Sequence, residues 1–172
     1  MTICPSGYYC PDNTAHPNTY PCPPGTFFAG TGATSSSDCT ACSEKYYCPD
    51  YGMTVGTTYP CGDGFLCAAG SKTYKGSEKC PKNYYCIAGV ATECPAGTYT
   101  EVTGAIQESE CRPCSPGSVC PDHSTDIQAC NLGYYCPAGL SVYFATVASY
   151  SGVAGEPTIC PAGFYCGSTG LS

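Results

Sequence analysis

Cysteine is the residue type in this chain whose number and spacing could do chemistry. There are 18 Cys among 172 residues, and two spacings account for all of them. Thiols spaced in this way can form disulfides, bind a metal ion as thiolates, or carry out thiol–disulfide exchange. Seven pairs are Cys-x5-Cys, namely Cys4/Cys10, Cys42/Cys48, Cys61/Cys67, Cys80/Cys86, Cys114/Cys120, Cys130/Cys136 and Cys160/Cys166. Two pairs are Cys-x16-Cys, Cys22/Cys39 and Cys94/Cys111, and each is followed by a Cys-x2-Cys step.

Disulfides are favoured over the other two chemistries. Zinc sites usually combine His with Cys, and the chain has only His16 and His123, both in stretches typical of surface turns. A redox Cys-x2-Cys motif requires a thioredoxin-like βαβ context, which these Gly- and Pro-rich surroundings lack. We therefore expect disulfides throughout, and no catalytic residue, cofactor or metal ion.

Composition places these disulfides outside the cytosol. Leu, Ile, Val and Phe together number 21, too few for the hydrophobic core of a conventional domain. Cross-links that restrict the unfolded chain must supply the missing stability, and they persist only in an oxidising compartment. We expect an extracellular protein, secreted or at the surface of a cell. Because no leader sequence and no 18-residue apolar run is visible, we expect a processed or interior portion of a longer precursor.

The charge balance excludes two classes of partner. The formal net charge is −7, with only six Lys and Arg. Nucleic acids and anionic membrane surfaces both attract basic proteins, so we expect neither as a partner, and no direct membrane insertion. With 11% charged residues, solubility must come from hydroxyl groups, attached sugar or burial in an assembly.

The cysteine spacings define the elements that must position these side chains. The order short, long, short, short restarts at Cys80 and again at Cys160. This gives a first super-repeat at 4–79, a second at 80–159, and the start of a third at 160–172. A repeating order of this kind is typical of tandem arrays, so we expect an elongated array of small disulfide-rich repeats with little or no helix.

Each short unit predicts a tight turn followed by an aromatic strand. Its fourth position is usually Gly, as in Gly7, or Asn, as in Asn83, and both residues accept a positive φ; Lys45 departs from this rule. Tyr or Phe usually follows. A ladder of Tyr side chains could bind carbohydrate or a protein ligand, but rings beside cystines more often pack over the sulfur atoms and replace a missing core. The long units predict short β-hairpins pinned at their ends.

These motifs resemble a known family of modules. The Cys-Pro-x-Gly-Thr-aromatic opening at 22–27 and 94–99, the Cys-x2-Cys step and the Tyr-Tyr-Cys phrase are similar to ephrin-receptor-like, or GCC-type, cysteine-rich repeats. These are similar in outline to the cysteine-rich modules of tumour necrosis factor receptors and growth-factor receptors. The resemblance implies two settings: receptor ectodomains, and long arrays in large secreted proteins of protists and algae, including mastigoneme-like proteins of flagellar hairs.

The resemblance also implies a disulfide pairing. Cys22–Cys39 and Cys94–Cys111 would close the long loops. Receptor-type pairing would then interleave the next pairs, as Cys42–Cys61 with Cys48–Cys67 and Cys114–Cys130 with Cys120–Cys136. Three pairs would remain local, Cys4–Cys10, Cys80–Cys86 and Cys160–Cys166.

Two functional expectations follow. The first is a non-enzymatic structural subunit of an extracellular filament, fibre or coat that self-assembles with copies of itself or related repeat proteins. The alternative is a ligand-binding, cysteine-rich stretch of a receptor or adhesion ectodomain. No Asn lies in an N-x-[ST] sequence, so any sugar should be O-linked, and the best candidates are Thr34, Ser35, Ser36 and Ser37.

One segment predicts an interface. The second super-repeat has 23 residues between Cys136 and Cys160, where the first has 12 between Cys67 and Cys80. The extra residues include an uncharged, β-prone run that should be covered. Val142 and Phe144 could pack inside their own repeat, or Val142, Tyr143 and Phe144 could contact a neighbouring subunit by strand addition.

Chemical reduction tests the dependence on disulfides. We expect reductant to abolish the near-ultraviolet circular dichroism of the chain and its resistance to protease, since 21 Leu, Ile, Val and Phe cannot hold 172 residues folded. Intact mass before and after reduction gives the number of bonds. A reduced chain that keeps its protease resistance would contradict this account of its stability.

Overall fold

The structure is built from short β-hairpins. It is a computed structural model that describes residues 2–120, 127–130, 132, 134–136, 138–139 and 158–159. The strands are β1 (Thr26–Phe27), β2 (Thr40–Ala41), β3 (Tyr46–Tyr47), β4 (Tyr59–Pro60), β5 (Phe65–Leu66), β6 (Glu78–Lys79), β7 (Tyr84–Ile87), β8 (Val90–Glu93), β9 (Thr98–Tyr99), β10 (Arg112–Pro113), β11 (Ser118–Val119), β12 (Gln128–Ala129), β13 (Tyr134–Tyr135) and β14 (Thr158–Ile159). The helical elements of the described part are two single 3-10 turns, Ser36–Asp38 and Glu108–Glu110. The predicted class of small disulfide-rich repeats with short hairpins is confirmed.

Consecutive strands pair into two-stranded antiparallel sheets, β1 with β2 and so on to β13 with β14. Each hairpin occupies one interval between opening cysteines, which are Cys4, Cys22, Cys42, Cys61, Cys80, Cys94, Cys114, Cys130 and Cys160. We name each repeat by its opening cysteine. The first strand begins four residues after the opening cysteine, and the second ends directly before the next one. In the Cys4 repeat an isolated bridge between Tyr8 and Pro21 takes the place of the hairpin.

This plan explains the Cys-x2-Cys steps. Strand β2 consists of the two residues between Cys39, which closes the first long loop, and Cys42, which opens the next repeat. Strand β10 has the same place between Cys111 and Cys114. The step is therefore a strand that separates two cystines.

The chain divides into two compact units. One contains Met1–Cys80 and Cys86–Ala91, and the other contains Pro81–Tyr85 and Thr92–Ser172. The super-repeat boundaries at 79 and 159 and the elongated arrangement of the array stay predictions.

Cystines form the core. Thirteen of the 16 described cysteines are buried, and the other three are half-buried. Apart from cysteine, the buried apolar residues of the described part are Ala33, Ala105 and Val119. Sulfur atoms take the place that Leu and Ile fill in larger domains.

Every described disulfide closes within its own repeat. The eight bonds are Cys4–Cys10, Cys22–Cys39, Cys42–Cys48, Cys61–Cys67, Cys80–Cys86, Cys94–Cys111, Cys114–Cys120 and Cys130–Cys136. Cys160 and Cys166 lie outside the described residues. The local pairing of Cys4–Cys10 and Cys80–Cys86 and the closure of both long loops are confirmed.

The interleaved pairing that the resemblance implies is wrong. Cys42 bonds Cys48 rather than Cys61, and Cys61 bonds Cys67 rather than Cys42. The same correction applies to Cys114, Cys120, Cys130 and Cys136. The turn inside each short unit folds the chain back, so that the Cα atoms of its two cysteines lie 5.7–6.2 Å apart, within reach of a disulfide.

Cyanogen bromide cleavage distinguishes the two pairings. The chain has two methionines, Met1 and Met53, so the reagent cuts internally once, between Cys48 and Cys61. Under denaturing, non-reducing conditions we expect two separate fragments, because no described disulfide spans Met53. With Cys42–Cys61 and Cys48–Cys67 bonds, the fragments would stay linked until reduced. Mass spectrometry would then show one species with the summed mass of the two fragments.

Candidate functional site

In the seven repeats where the structure describes it, the third residue after the opening cysteine adopts a left-handed conformation. Its φ lies between 64° and 90° in Gly7, Gly25, Lys45, Gly64, Asn83, Gly97 and Gly117. In each case the next residue donates a backbone hydrogen bond of 3.0–3.3 Å to the residue after the cysteine. This combination defines a type II turn. The predicted turn is confirmed, and Lys45 shares it although Lys carries a Cβ atom that disfavours this conformation.

This turn residue is bonded to the next repeat through both of its main-chain polar groups. In the Cys22 repeat, Gly25 N–H donates to the carbonyl oxygen of Cys48 at 2.8 Å. The Gly25 carbonyl oxygen accepts from Cys42 N–H at 3.0 Å. We call this pair of hydrogen bonds a joint.

Joints recur along the described chain. The carbonyl bond, 2.8–3.0 Å long, is made to the turn residue by Cys22, Cys42, Cys61, Cys80, Cys94, Cys114 and Cys130. The N–H bond ends at Phe28, Cys48, Cys67, Cys86, Thr100 and Cys136, each of which is the sixth residue of its repeat after the opening cysteine. Main-chain atoms make both bonds, so the joint does not depend on a particular side chain.

Glycine contacts tighten the joint across two repeats. Gly70 N–H donates to the Cys42 carbonyl oxygen at 3.0 Å, which brings the Gly70 backbone against the turn of the Cys22 repeat. A Cβ atom added to Gly25 would lie 2.5 Å from the Gly70 carbonyl oxygen. A Cβ atom added to Gly7 would likewise collide with the Gly52 carbonyl oxygen, and one added to Gly97 would collide with the Gly139 carbonyl oxygen. These turn glycines are required by close approach as well as by φ.

The long repeats preserve the joint although their sixth residue is not cysteine. Phe28 and Thr100 stand at that position, and the disulfide moves to the cysteine that ends the loop. Thr100 forms two hydrogen bonds with Asn83, the turn residue of the preceding repeat. Its carbonyl oxygen accepts from Asn83 N–H at 3.0 Å, and its own N–H donates to Asn83 Oδ1 at 3.1 Å. Both residues are buried, so the left-handed Asn83 also satisfies a buried donor.

The acidic residue before the closing cysteine caps a 3-10 turn in each long loop. Asp38 Oδ2 accepts from Thr34 N–H at 2.8 Å and from Ser35 N–H at 3.0 Å. These two backbone hydrogen bonds lower the pKa of Asp38. Glu110 Oε1 accepts from Ile106 N–H at 3.1 Å in the equivalent place. The sequence pattern contained this acid, but its role was not predicted.

The predicted O-glycosylation residues belong to this capped turn. Thr34, Ser35, Ser36 and Ser37 are all exposed. The Ser35 and Ser37 hydroxyls lie 3.0 Å apart and share a hydrogen bond, and the Thr34 hydroxyl donates to Asp38 at 3.4 Å. The Ser36 hydroxyl has no such partner among the described residues. Sugar attachment at these positions stays a prediction.

Several aromatic rings pack against one another in pairs. Ring centroids lie 5.6 Å apart for Tyr9 and Tyr20 and 5.5 Å apart for Tyr47 and Tyr59. Phe65 and Tyr74 meet edge to face at 6.4 Å. Such pairs add stability beyond the area they bury.

Two further tyrosines have other partners. Tyr134 packs on the buried cluster of Val119, Cys130 and Cys136, as the cystine-covering hypothesis predicts. Tyr84 Oη donates to Glu93 Oε1 at 3.0 Å, and this bond raises the pKa of Tyr84.

The predicted interface residues Val142, Tyr143 and Phe144 lie outside the described residues. In the sequence they belong to the interval between β13 and β14. Within the described part, no group of three or more His, Cys, Asp or Glu could hold a metal ion, and no helix is long and apolar enough to cross a membrane.

The net charge of the whole chain conceals a basic segment, because acidic residues elsewhere outnumber its lysines. Residues 64–92 contain four lysines and one glutamate, a net charge of +3. Residues 93–172 contain seven Asp and Glu and one Arg, a net charge of −6. The order of charged residues along the sequence indicates this separation of basic and acidic segments.

Comparison with known proteins agrees with the repeat architecture. No protein-family model matches the chain. Over 69 residues, 40% of its length, the chain is 33% identical to cysteine repeat modular protein A of Toxoplasma gondii, and the match covers 2% of that protein. The chain is a cysteine-rich repeat protein. The repeats of this protein are the hairpins, cystines and joints described above.

Two glycine substitutions test the joint. Gly25 and Gly70 both have positive φ, at 90° and 80°, so Ala at either costs about 1–2 kcal/mol of conformational strain. At Gly25 the new Cβ also collides with the Gly70 carbonyl, whereas at Gly70 it makes only ordinary contacts, with the Ala41 Cβ at 3.7 Å and the Gly25 carbonyl oxygen at 3.8 Å. We expect Gly25→Ala to cost about 1–3 kcal/mol more than Gly70→Ala.

Tyrosine fluorescence in a urea titration, with disulfides intact, measures this difference, since the chain has no Trp. Equal losses of stability in the two variants would show that the close contact at Gly25 contributes nothing.

Proposed function

We propose that this chain is a non-enzymatic structural part of an extracellular filament, fibre or coat, of the kind that mastigoneme-like proteins build. In this proposal the repeats are of the ephrin-receptor-like, or GCC, type. The observation that carries the proposal is the joint. Because main-chain atoms form it, one repeat can follow another whatever side chains each displays outside the turn. Such a design suits a protein that supplies length and spacing.

The cystine core supports an extracellular location. Eight disulfides in the described part replace a hydrophobic core, and bonds of this kind persist in oxidising surroundings. The match to a very large cysteine repeat protein supports a long parent chain.

Self-assembly is the part of the proposal that experiment can decide. We propose that Val142, Tyr143 and Phe144 contact a neighbouring copy. The purified, oxidised chain should form oligomers or filaments as its concentration rises, visible by negative-stain electron microscopy and sedimentation velocity. Single particles at every concentration, together with tight binding of a soluble ligand, would instead favour the receptor ectodomain.

Replacing Val142 and Phe144 with Lys tests the contact itself. We expect Val142→Lys with Phe144→Lys to abolish assembly while the disulfides and near-ultraviolet signal stay unchanged. The reason is that removing two unpaired ammonium groups from water costs more free energy than the contact supplies. Ser141→Lys with Ala145→Lys is the matched control for added charge. Misfolding of the double variant would mean that these side chains pack inside their own repeat, and unchanged assembly would remove them from the interface.

A further inference from the structure

A basic loop lies on the surface of the Cys61 repeat. Lys72, Lys75 and Lys79 are all exposed, and Tyr74 between them is 51% exposed. The Lys75 ammonium group lies 5.7 Å from the centre of the Tyr74 ring. Among the described residues none of the three lysines forms an ion pair with a carboxylate. This exposed segment therefore carries three lysines without an ion pair among the described residues, one of them beside the Tyr74 ring, in a protein of net charge −7.

The backbone of this loop is held in place. The Tyr74 carbonyl oxygen accepts from Gly62 N–H at 2.7 Å, and the Ser71 carbonyl oxygen accepts from Cys48 N–H at 2.9 Å. The Lys72 side chain runs along the turn of the Cys22 repeat, with its Cγ atom 3.1 Å from the position of a Cβ on Gly25. The lysines are thus displayed from a fixed frame, which lowers the entropy lost when they bind a partner.

An acidic and apolar surface lies on the long loop of the Cys94 repeat. Glu101 and Glu108 are exposed, and neither side-chain carboxylate accepts a hydrogen bond from the described residues. Val102 is 60% exposed and Ile106 is 47% exposed on the same loop. We call these four residues the acidic loop face, and Lys72, Tyr74, Lys75 and Lys79 the basic loop face.

The equivalent long loop of the Cys22 repeat shows that the fold does not require the acidic loop face. The two loops share a capped 3-10 turn, a left-handed Gly and a buried Ala, at Gly32 and Ala33 in one and at Gly104 and Ala105 in the other. The positions of Glu101, Val102, Ile106 and Glu108 are there occupied by small or hydroxyl-bearing residues, namely Ala29, Gly30, Thr34 and Ser36. The same loop backbone therefore forms in the Cys22 repeat without the two carboxylates and two apolar side chains of the acidic loop face.

We propose that the basic loop face of one chain binds the acidic loop face of a second copy. The inference rests on the proposed function, since it names a contact by which copies associate. Opposite charge and exposed apolar groups on both faces supply complementarity, and the two faces belong to different repeats. A contact between two different surfaces is heterologous, so each bound copy leaves one face of each kind open for the next. Association of this type propagates into a filament when the rotation between successive copies does not close into a ring.

Loop exchange and charge reversal test the contact in the full-length oxidised chain. The exchange variant carries Glu101→Ala, Val102→Gly, Ile106→Thr and Glu108→Ser, which are the residues that the same frame carries in the Cys22 repeat. A basic-reversed variant carries Lys72→Glu, Lys75→Glu and Lys79→Glu. An acid-reversed variant carries Glu101→Lys and Glu108→Lys. Intact mass and near-ultraviolet circular dichroism confirm folding of each.

Sedimentation velocity then gives the dissociation constant of self-association. We expect each variant alone to bind at least about tenfold more weakly than the original chain, and an equimolar mixture of the two reversed variants to recover association. Raising sodium chloride from about 0.1 M to about 1 M, which shortens the Debye length from about 10 Å to about 3 Å, should weaken the original chain and the mixture alike.

The outcomes separate this contact from the proposed function. If the original chain associates but the exchange variant associates equally well, the contact is wrong and the structural function stands. If the original chain does not associate at all, the proposed function fails and the contact fails with it. If the basic-reversed variant self-associates normally but loses binding to dextran sulfate, the basic loop face recognises a sulfated polysaccharide and the contact between copies is overturned.

Discussion

The rest of the structure depends on the left-handed residue of the turn. In six of the described repeats this residue is bonded to the next repeat through both its N–H and its C=O, and in the Cys94 repeat through the C=O of Gly97. The left-handed residue closes the type II turn, which brings the cysteines of each short unit within disulfide range. It also anchors the opening cysteine of the following repeat through that residue's own N–H. The turn, the cystine and the stacking of repeats are therefore fixed by the same few main-chain atoms.

This arrangement explains how so little apolar surface suffices. Backbone groups at the joint are paired, which avoids the cost of burying an unsatisfied donor or acceptor. The buried volume that remains is small and is filled by cystine sulfur and by Ala33, Ala105 and Val119. Large side chains are left for the surface, where ring pairs such as Tyr47 with Tyr59 stiffen the hairpins and other side chains are free to differ between repeats.

Local features of the fold could be predicted from sequence because they depend on near neighbours. Gly7 and Asn83 indicate a positive φ, and the spacing of Cys22 and Cys39 indicates a closed loop. Lys45 shows the limit of residue preference, because the joint holds it at φ 71° despite its Cβ atom. The interleaved cystines were wrong because a connectivity was carried over from other modules, whereas the turn in this chain decides it locally.

The joint and the exposure of the charged faces could be identified from the structure but not from the sequence. The bond between Gly25 and Cys48 links residues 23 apart, and no local pattern marks its partner. The polarity of the basic and acidic segments was present in the sequence but was hidden in the total charge. Exposure of Val102 and Ile106 could not be inferred, because the same apolar residues could equally have filled the interior of the loop.

The local disulfides have a mechanical consequence. No described cystine connects one repeat to another, so tension applied to the ends of the chain would load the joints first. Once the joints have opened, the residues inside each closed loop would carry no tension, because the S–S bond bypasses them. The Cys22–Cys39 bond shields the 16 residues between its ends, roughly 50 Å of extended chain at about 3.3 Å per residue. The redox state of the surroundings would thereby set how far the protein can stretch.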